Sequence, residues 1–220
     1  MQLLWVVLIL VLLAGYLLFR KERKRIDAIL ERIALERKGV VRRVFGSYSQ
    51  LSFHYKSVEI QVSAMAGGST GGGMRASQTF AQFSFPGYPK EAFFRVREKS
   101  LQALVEGLLG ARELSLGDPG FEERFSIQGR DGTLLRRILT SEIRQKIAAF
   151  PEGEGISVCL EQVRFFDGKS WEDHPRLRVS RSKVSTRVQD YTELIGIAEE
   201  IYDRMASLLE RRSFALASSC

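Results

Sequence analysis

The first 19 residues, MQLLWVVLILVLLAGYLLF, carry no charged side chain and are followed at once by RKERKR. A helix rises roughly 1.5 Å per residue, so the run reaches about 28 Å against a hydrocarbon core of about 30 Å. That length suits one crossing with little tilt. Leu, Val and Ile dominate it, and Trp5 and Tyr16, near its ends, fit an interfacial aromatic belt. Everything after residue 19 is therefore expected to hang from a membrane.

The flank decides what kind of segment this is. A cleavable signal places its positive charges before the apolar run, whereas here they follow it. Leu13-Ala14-Gly15 resembles the end of a lipobox, but Tyr16 stands where the lipid-bearing cysteine would be. An uncleaved anchor is expected. Residues 20–25 hold five basic side chains and one acid, a local +4 out of +7 for the chain. The positive-inside tendency then puts the large C-terminal part in the cytoplasm. Arg20, Lys21, Arg23, Lys24 and Arg25 are the expected membrane-contact residues, each worth about 1 kcal/mol beside anionic headgroups. With so much of the charge spent at the anchor, no nucleic-acid partner is expected.

The remainder, in a chain 45% hydrophobic and 27% charged, has enough apolar side chains for one core. Its two cysteines, Cys159 and Cys220, suit a reducing compartment rather than a disulfide framework. The expected division is an anchor at 1–19, a basic juxtamembrane amphipathic helix at 20–39 and a cytoplasmic domain at 40–220. In the middle part Ile26, Ile29, Leu30, Ile33 and Ala34 recur at helical spacing. Packing on the domain is the plain reading of that stripe. Lying on the bilayer, or pairing with a second copy as a homodimer, are the alternatives.

Alternation predicts strands at 40–44, 51–55, 57–64, 77–85 and 92–97, and a short helix at 101–109. Between two of these strands lies AGGSTGGGMR, residues 66–75. A phosphate cradle would need a lysine and a hydroxyl residue after its last glycine, and Met74 and Arg75 stand there instead. A hairpin loop is expected.

Residues 116–147, LGDPGFEERFSIQGRDGTLLRRILTSEIRQKI, are the most distinctive stretch beyond the anchor. A Gly-Asp-Pro-Gly turn precedes a short strand at 125–127, and a helix at 133–139 precedes a second one capped by Thr140 or Ser141. The stretch resembles the motif region of a group of uncharacterised bacterial membrane-anchored proteins. That group's pattern is a Gly-Asp turn, Phe-Asp-x-x-Phe, an acidic turn and a Leu-Thr-capped helix. Asp118, Phe121, Phe125, Ile127, Asp131 and Thr140 stand at matching positions, and Glu122 stands where Asp is usual. The resemblance implies a membrane-associated α+β domain in a bacterial inner membrane and brings no catalytic residue with it. Asp118, Glu122, Glu123 and Asp131 invite a metal or acid–base reading, but each sits where a turn or cap wants an acid. No metal ligand is assigned. A helix-turn-helix reading of 133–149 is disfavoured because its basic residues fall on both helices.

Residues 156–166 alternate as a half-buried strand, Asp167-Gly168 is a turn signal, and 171–175 read as a loop. Cys159 and His174 lack a third residue to orient them as a nucleophile and base. After the loop, arginines alternate with Leu177 and Val179, and the phase changes near Arg181-Ser182. A charge-guarded sheet edge is expected there, with Arg176, Arg178 and Lys183 as the candidate partner or lipid surface. A long helix over 190–216 closes the chain.

The expected fold is α+β: one transmembrane helix plus an antiparallel sheet of about six strands covered by amphipathic helices. The expected function is a membrane-anchored cytoplasmic binding or scaffold module without cofactor or catalytic residues, whose partners are anionic lipid and a protein. The alternative is a membrane-bound hydrolase or nucleotide-binding enzyme using the loop at 66–75 or the acidic turn at 118–131.

Overall fold

A computed structural model describes residues 2–44, 47–66, 68–70, 73–75, 77–85, 88, 93–99, 113–166 and 171–217. The apolar run and the amphipathic stripe form one helix, α1 (Gln2–Arg37). It contains no proline to break it. Its two halves differ in surroundings. Residues 4–18 are exposed along their whole length, whereas Ile26, Ile29, Leu30, Ile33 and Ala34 are buried. The first half is long and apolar enough to cross a membrane, and its lack of burial separates it from the core helix of a soluble domain.

Ten strands follow among the described residues: β1 (Val40–Arg42), β2 (Gln50–Tyr55), β3 (Val58–Met65), β4 (Gly68–Thr70), β5 (Gly73–Arg75), β6 (Gln78–Ser84), β7 (Phe94–Glu98), β8 (Phe125–Gly129), β9 (Ser157–Phe166) and β10 (Trp171–Arg181). The remaining helices among the described residues are α2 (Pro119–Arg124), α3 (Gly132–Ile138), α4 (Ser141–Ala148) and α5 (Val188–Ala217). Eight strands form one antiparallel sheet in the order β1-β2-β3-β6-β10-β9-β7-β8, and β4 pairs with β5 in a separate hairpin between β3 and β6. The fold is α+β, with eight main strands where about six were expected. The expected helix at 101–109 and the turn at 167–168 lie outside the described residues.

The register shows why one face is core. A single row, Val41–Leu51–Val62–Ala81–Val179–Val158–Val96–Ile127, crosses all eight strands and is apolar throughout. The next row, one residue along each strand, is Val40–Ser52–Gln61–Gln82–Arg178–Cys159–Arg95–Gln128 and faces the other way. Helices stack on the apolar face. α5 buries Leu194, Ile197, Ala198, Ile201 and Met205, each large side chain contributing about 1.5–3 kcal/mol. Its Tyr202 ring meets Tyr55, Phe83 and Phe85 edge-on at 5.4–5.7 Å.

Two readings of residues 171–188 are corrected. Residues 171–175 are strand, not loop, because β10 begins at Trp171 and pairs with β9 throughout. Pro175 is tolerated where β6 ends. Its carbonyl accepts the Phe85 N–H at 2.8 Å, and the Phe85 carbonyl takes the Tyr88 N–H at 3.4 Å in place of the missing donor. Nor is the basic strand an edge, since β10 lies between β6 and β9. The alternation of Arg176 and Arg178 with Leu177 and Val179 reports the two faces of a central strand.

α1 also fixes which end of the sheet faces its exposed apolar half, the candidate anchor. The Phe19 and Tyr48 rings lie 5.4 Å apart, and the Arg23 guanidinium donates to the Val44 carbonyl at 2.8 Å. β2 therefore runs away from the anchor and β3 returns toward it. The root of the β4–β5 hairpin, at Met65 and Gln78, lies at this anchor-facing end. α5 starts at the same end and runs outward to Glu199, which pairs with Arg37 at 2.7 Å, and Asp203, which pairs with Lys56 at 2.5 Å.

Candidate functional site

The polar sheet face gathers most of the chemistry that the core leaves over. Arg95 of β7, Cys159 and Glu161 of β9, Arg176 and Arg178 of β10 and Gln82 of β6 stand on it, since alternate residues of each strand share a face. Glu161 accepts from Arg176 at 2.8 Å and lies 3.9 Å from Arg95. Arg178 donates twice to Gln82 Oε1, at 3.0 and 2.7 Å, and spreads over the Phe80 ring at 4.7 Å. Gln82 in turn donates to Gln61 at 3.2 Å. Burial by itself would raise the Glu161 carboxyl, but the hydrogen bond from Arg176 and the charges of Arg176, Arg178 and Arg95 hold it below the usual glutamate range. Beside this cluster is an open cavity of about 260 Å³ lined by Phe93, Arg95, Gln128, Cys159 and Glu161, among others.

Of the three residues expected to form a surface, the structure keeps two together. Arg176 and Arg178 lie on the polar face, while Lys183 is exposed beyond the end of β10, at the anchor-facing end. Arg20, Lys21, Arg23, Lys24 and Arg25 occupy the stretch of α1 between its exposed and buried halves. Sequence reasoning missed Arg95, Glu161 and Gln82. Arg95 and Arg97 show the same two-residue alternation as Arg176 and Arg178, and that signal marks one face of a strand. What no local pattern shows is that β7 and β10 flank the same neighbour, β9.

The acidic residues at 118–131 are taken up by the backbone around them. Asp118 caps α2 through the Phe121 N–H at 3.2 Å and pairs with Arg144 at 2.8 Å. Arg144 is the first cause of its lowered pKa. Glu122 Oε1 accepts from the N–H groups of Leu116, Gly117 and Asp118 at 2.6–3.2 Å. Asp131 caps α3 through the Thr133 and Leu134 N–H groups, both at 2.9 Å. Asp118 and Asp131 also lie at opposite ends of the β8 segment, about 16 Å apart along a five-residue strand. The β4–β5 hairpin hangs four strand spacings away from β8, about 19 Å. The three features that an enzyme would have to combine are separate.

Cys159 and His174 are likewise apart. Cys159 pairs across with Arg178 and His174 sits four residues earlier on β10, about 13 Å away. Burial pushes the Cys159 thiol up, away from the thiolate a nucleophile needs. Among the described residues no group of three or more His, Cys, Asp or Glu side chains is placed to hold a metal ion.

A second charged cluster is buried at the start of α5. Arg181, the last residue of β10, forms ion pairs with Asp190 and Glu154, and Asp190 also receives Ser185 and Arg187, the latter at 2.5 Å. Compared with known protein families and with curated proteins, the chain matches none.

Proposed function

We propose that the protein is a membrane-anchored binding module, held by residues 1–19, with its α+β domain on the cytoplasmic side. The observation that carries this reading is the continuity of α1, whose exposed apolar half runs without interruption into a half buried in the domain core. Cleavage within or after the run would leave a helix begun in mid-turn, so the reading takes the segment as an anchor and not a signal. Arg20, Lys21, Arg23, Lys24 and Arg25 then lie at the headgroups on the side that positive charge favours. The polar sheet face is the partner surface, because the described helices pack on the other one. The separation of the hairpin, Asp118 and Asp131 weighs against the enzyme reading.

Two arms test this. A cysteine introduced at the exposed Glu123 should react with an impermeant maleimide only after the cells are opened, and reaction in intact spheroplasts would reverse the orientation. A photo-crosslinker placed at Gln61 on the polar face should give a discrete adduct in native membranes. An adduct from the exposed Glu210 of α5 but none from Gln61 would move the partner surface to the helices.

A further inference from the structure

The height of the sheet end that faces the apolar half of α1 can be read from the register. Gln50 pairs with Ser63 across β2 and β3, so two residues further Tyr48 and Met65 stand level, and the Ser63 hydroxyl holds the chain there by donating to the Ser49 carbonyl at 2.9 Å. The Tyr48 ring lies 5.4 Å from that of Phe19, the last residue of the apolar run. Met65 and its β6 partner Gln78 are the two roots of the β4–β5 hairpin, each joined to it by two residues, about 7–10 Å of chain. The hairpin thus leaves the sheet at the height where the apolar run ends. When the run spans a bilayer, a headgroup layer about 5–7 Å deep starts at that height. Beside the root, Thr79 Oγ1 donates to the Lys183 carbonyl and accepts the Ser185 N–H, both at 2.8 Å, which fixes Lys183 next to the hairpin. Lys183 is exposed, and its ammonium has no partner among the described residues.

Resting on the anchor reading above, we infer that this end of the sheet is a second membrane contact: the β4–β5 hairpin lies on the headgroups of the bilayer that α1 crosses, and Lys183 beside it meets lipid phosphate. Position is the first argument, since α1 is one helix and leaves no linker to lift the domain away. Sequence is the second. Residues 60–90 contain no Asp or Glu, so neither the hairpin nor the strand ends that carry it repel an anionic surface, and Arg75 closes β5 with a positive charge. Glycine, present five times in residues 66–75, has no side chain to keep a phosphate from the peptide N–H. Several acids at this end are already engaged: Glu22 accepts from the Tyr48 hydroxyl, Asp190 and Glu154 pair with Arg181, and Glu98 pairs with Arg124. Exposed Glu123 and Glu152 share the half built from β9, β7 and β8 with exposed Lys99, so the contact is placed on the hairpin half and not across the whole end.

The test uses the full chain, carrying Cys159→Ser and Cys220→Ser, in vesicles of mixed phosphatidylcholine and phosphatidylglycerol. A nitrobenzoxadiazole fluorophore is attached at Ser69→Cys in β4, at Glu59→Cys in β3 or at Leu10→Cys in α1, and is quenched by lipid bearing a nitroxide on its headgroup or, for Leu10, on its acyl chain. Glu59 is exposed and stands six residues before Met65, about 20 Å farther from the bilayer along β3. The label at Ser69 should be quenched several-fold more than the label at Glu59. Adding Lys183→Glu, a charge reversal at an exposed side chain, should lower the quenching at Ser69 and leave that at Glu59 as it was. Equal quenching at Ser69 and Glu59 while Leu10 is quenched from the acyl chains would overturn the inference and leave the anchor standing. Quenching at Ser69 that is the same in Lys183→Glu would overturn it too. No quenching at Leu10 would remove the anchor reading, and the inference with it.

Discussion

Arg181 and Asp190 set the balance at the anchor-facing end of the domain. Their side chains are 5% and 3% exposed, so each charge is held by its buried partners, Asp190 and Glu154 for Arg181 and Arg181 with Arg187 for Asp190. Asp190→Asn leaves Arg181 with Glu154 alone and is expected to cost about 3–5 kcal/mol, seen as a lower thermal midpoint of the detergent-solubilised chain. The pH dependence has a definite sign. Burial alone would raise the Asp190 carboxyl, yet the hydrogen bonds from Arg187 and Ser185 and the charges of Arg181 and Arg187 hold it below the usual aspartate range. A carboxyl lowered on folding contributes its full stabilisation above its unfolded value, about 4, and loses it as the pH falls through the lower folded value. Stability should therefore decline below about pH 4, and the Asn variant should decline less steeply over that window. At this scale the sequence reveals local partners well. Asp118, Asp131 and Thr140 cap helices as expected because cap and helix are neighbours in the chain. It did not reveal the Arg181–Asp190 pair, which depends on how β10 turns into α5.

Among the elements, α1 has two roles that the sequence suggested separately. Its apolar run and its amphipathic stripe were both legible from spacing as abutting segments at 1–19 and 20–39, and the structure joins them into one unbroken helix. Removing residues 2–19 should leave a chain that folds and stays in solution after ultracentrifugation. Removing residues 2–34 should abolish folding, because Ile26, Leu30 and Ile33 fill the core. A folded product from the longer deletion would show that the stripe is dispensable. Lys38 takes the left-handed conformation at φ 54°, and Gly39 lets the chain approach β2 closely. A Cβ there would meet Leu51 Cδ1 at 2.7 Å and the Ser52 carbonyl oxygen at 2.9 Å. Gly39→Ala should cost about 1–3 kcal/mol in thermal unfolding. β10 shows the opposite limit, since its proline and charges read as a loop and an edge until its neighbours were known.

For the whole molecule, the class of fold followed from the alternation of strands and helices, and the strand order did not. β10 arrives late in the chain and enters between β6 and β9, and that insertion joins two hairpin systems into one sheet. On its other side β9 pairs with β7, which puts Arg95 one strand from Glu161 and two from Arg176, so the polar face exists only once the order is set. The central claim is that one rigid helix both crosses the bilayer and belongs to the domain core, which fixes how the sheet is presented to partners. Backbone hydrogen exchange along α1, measured on the full chain in lipid nanodiscs, tests it most directly. The expected result is unbroken protection from residue 4 through residue 34. Fast exchange at residues 20–25, or across 4–18, would contradict it.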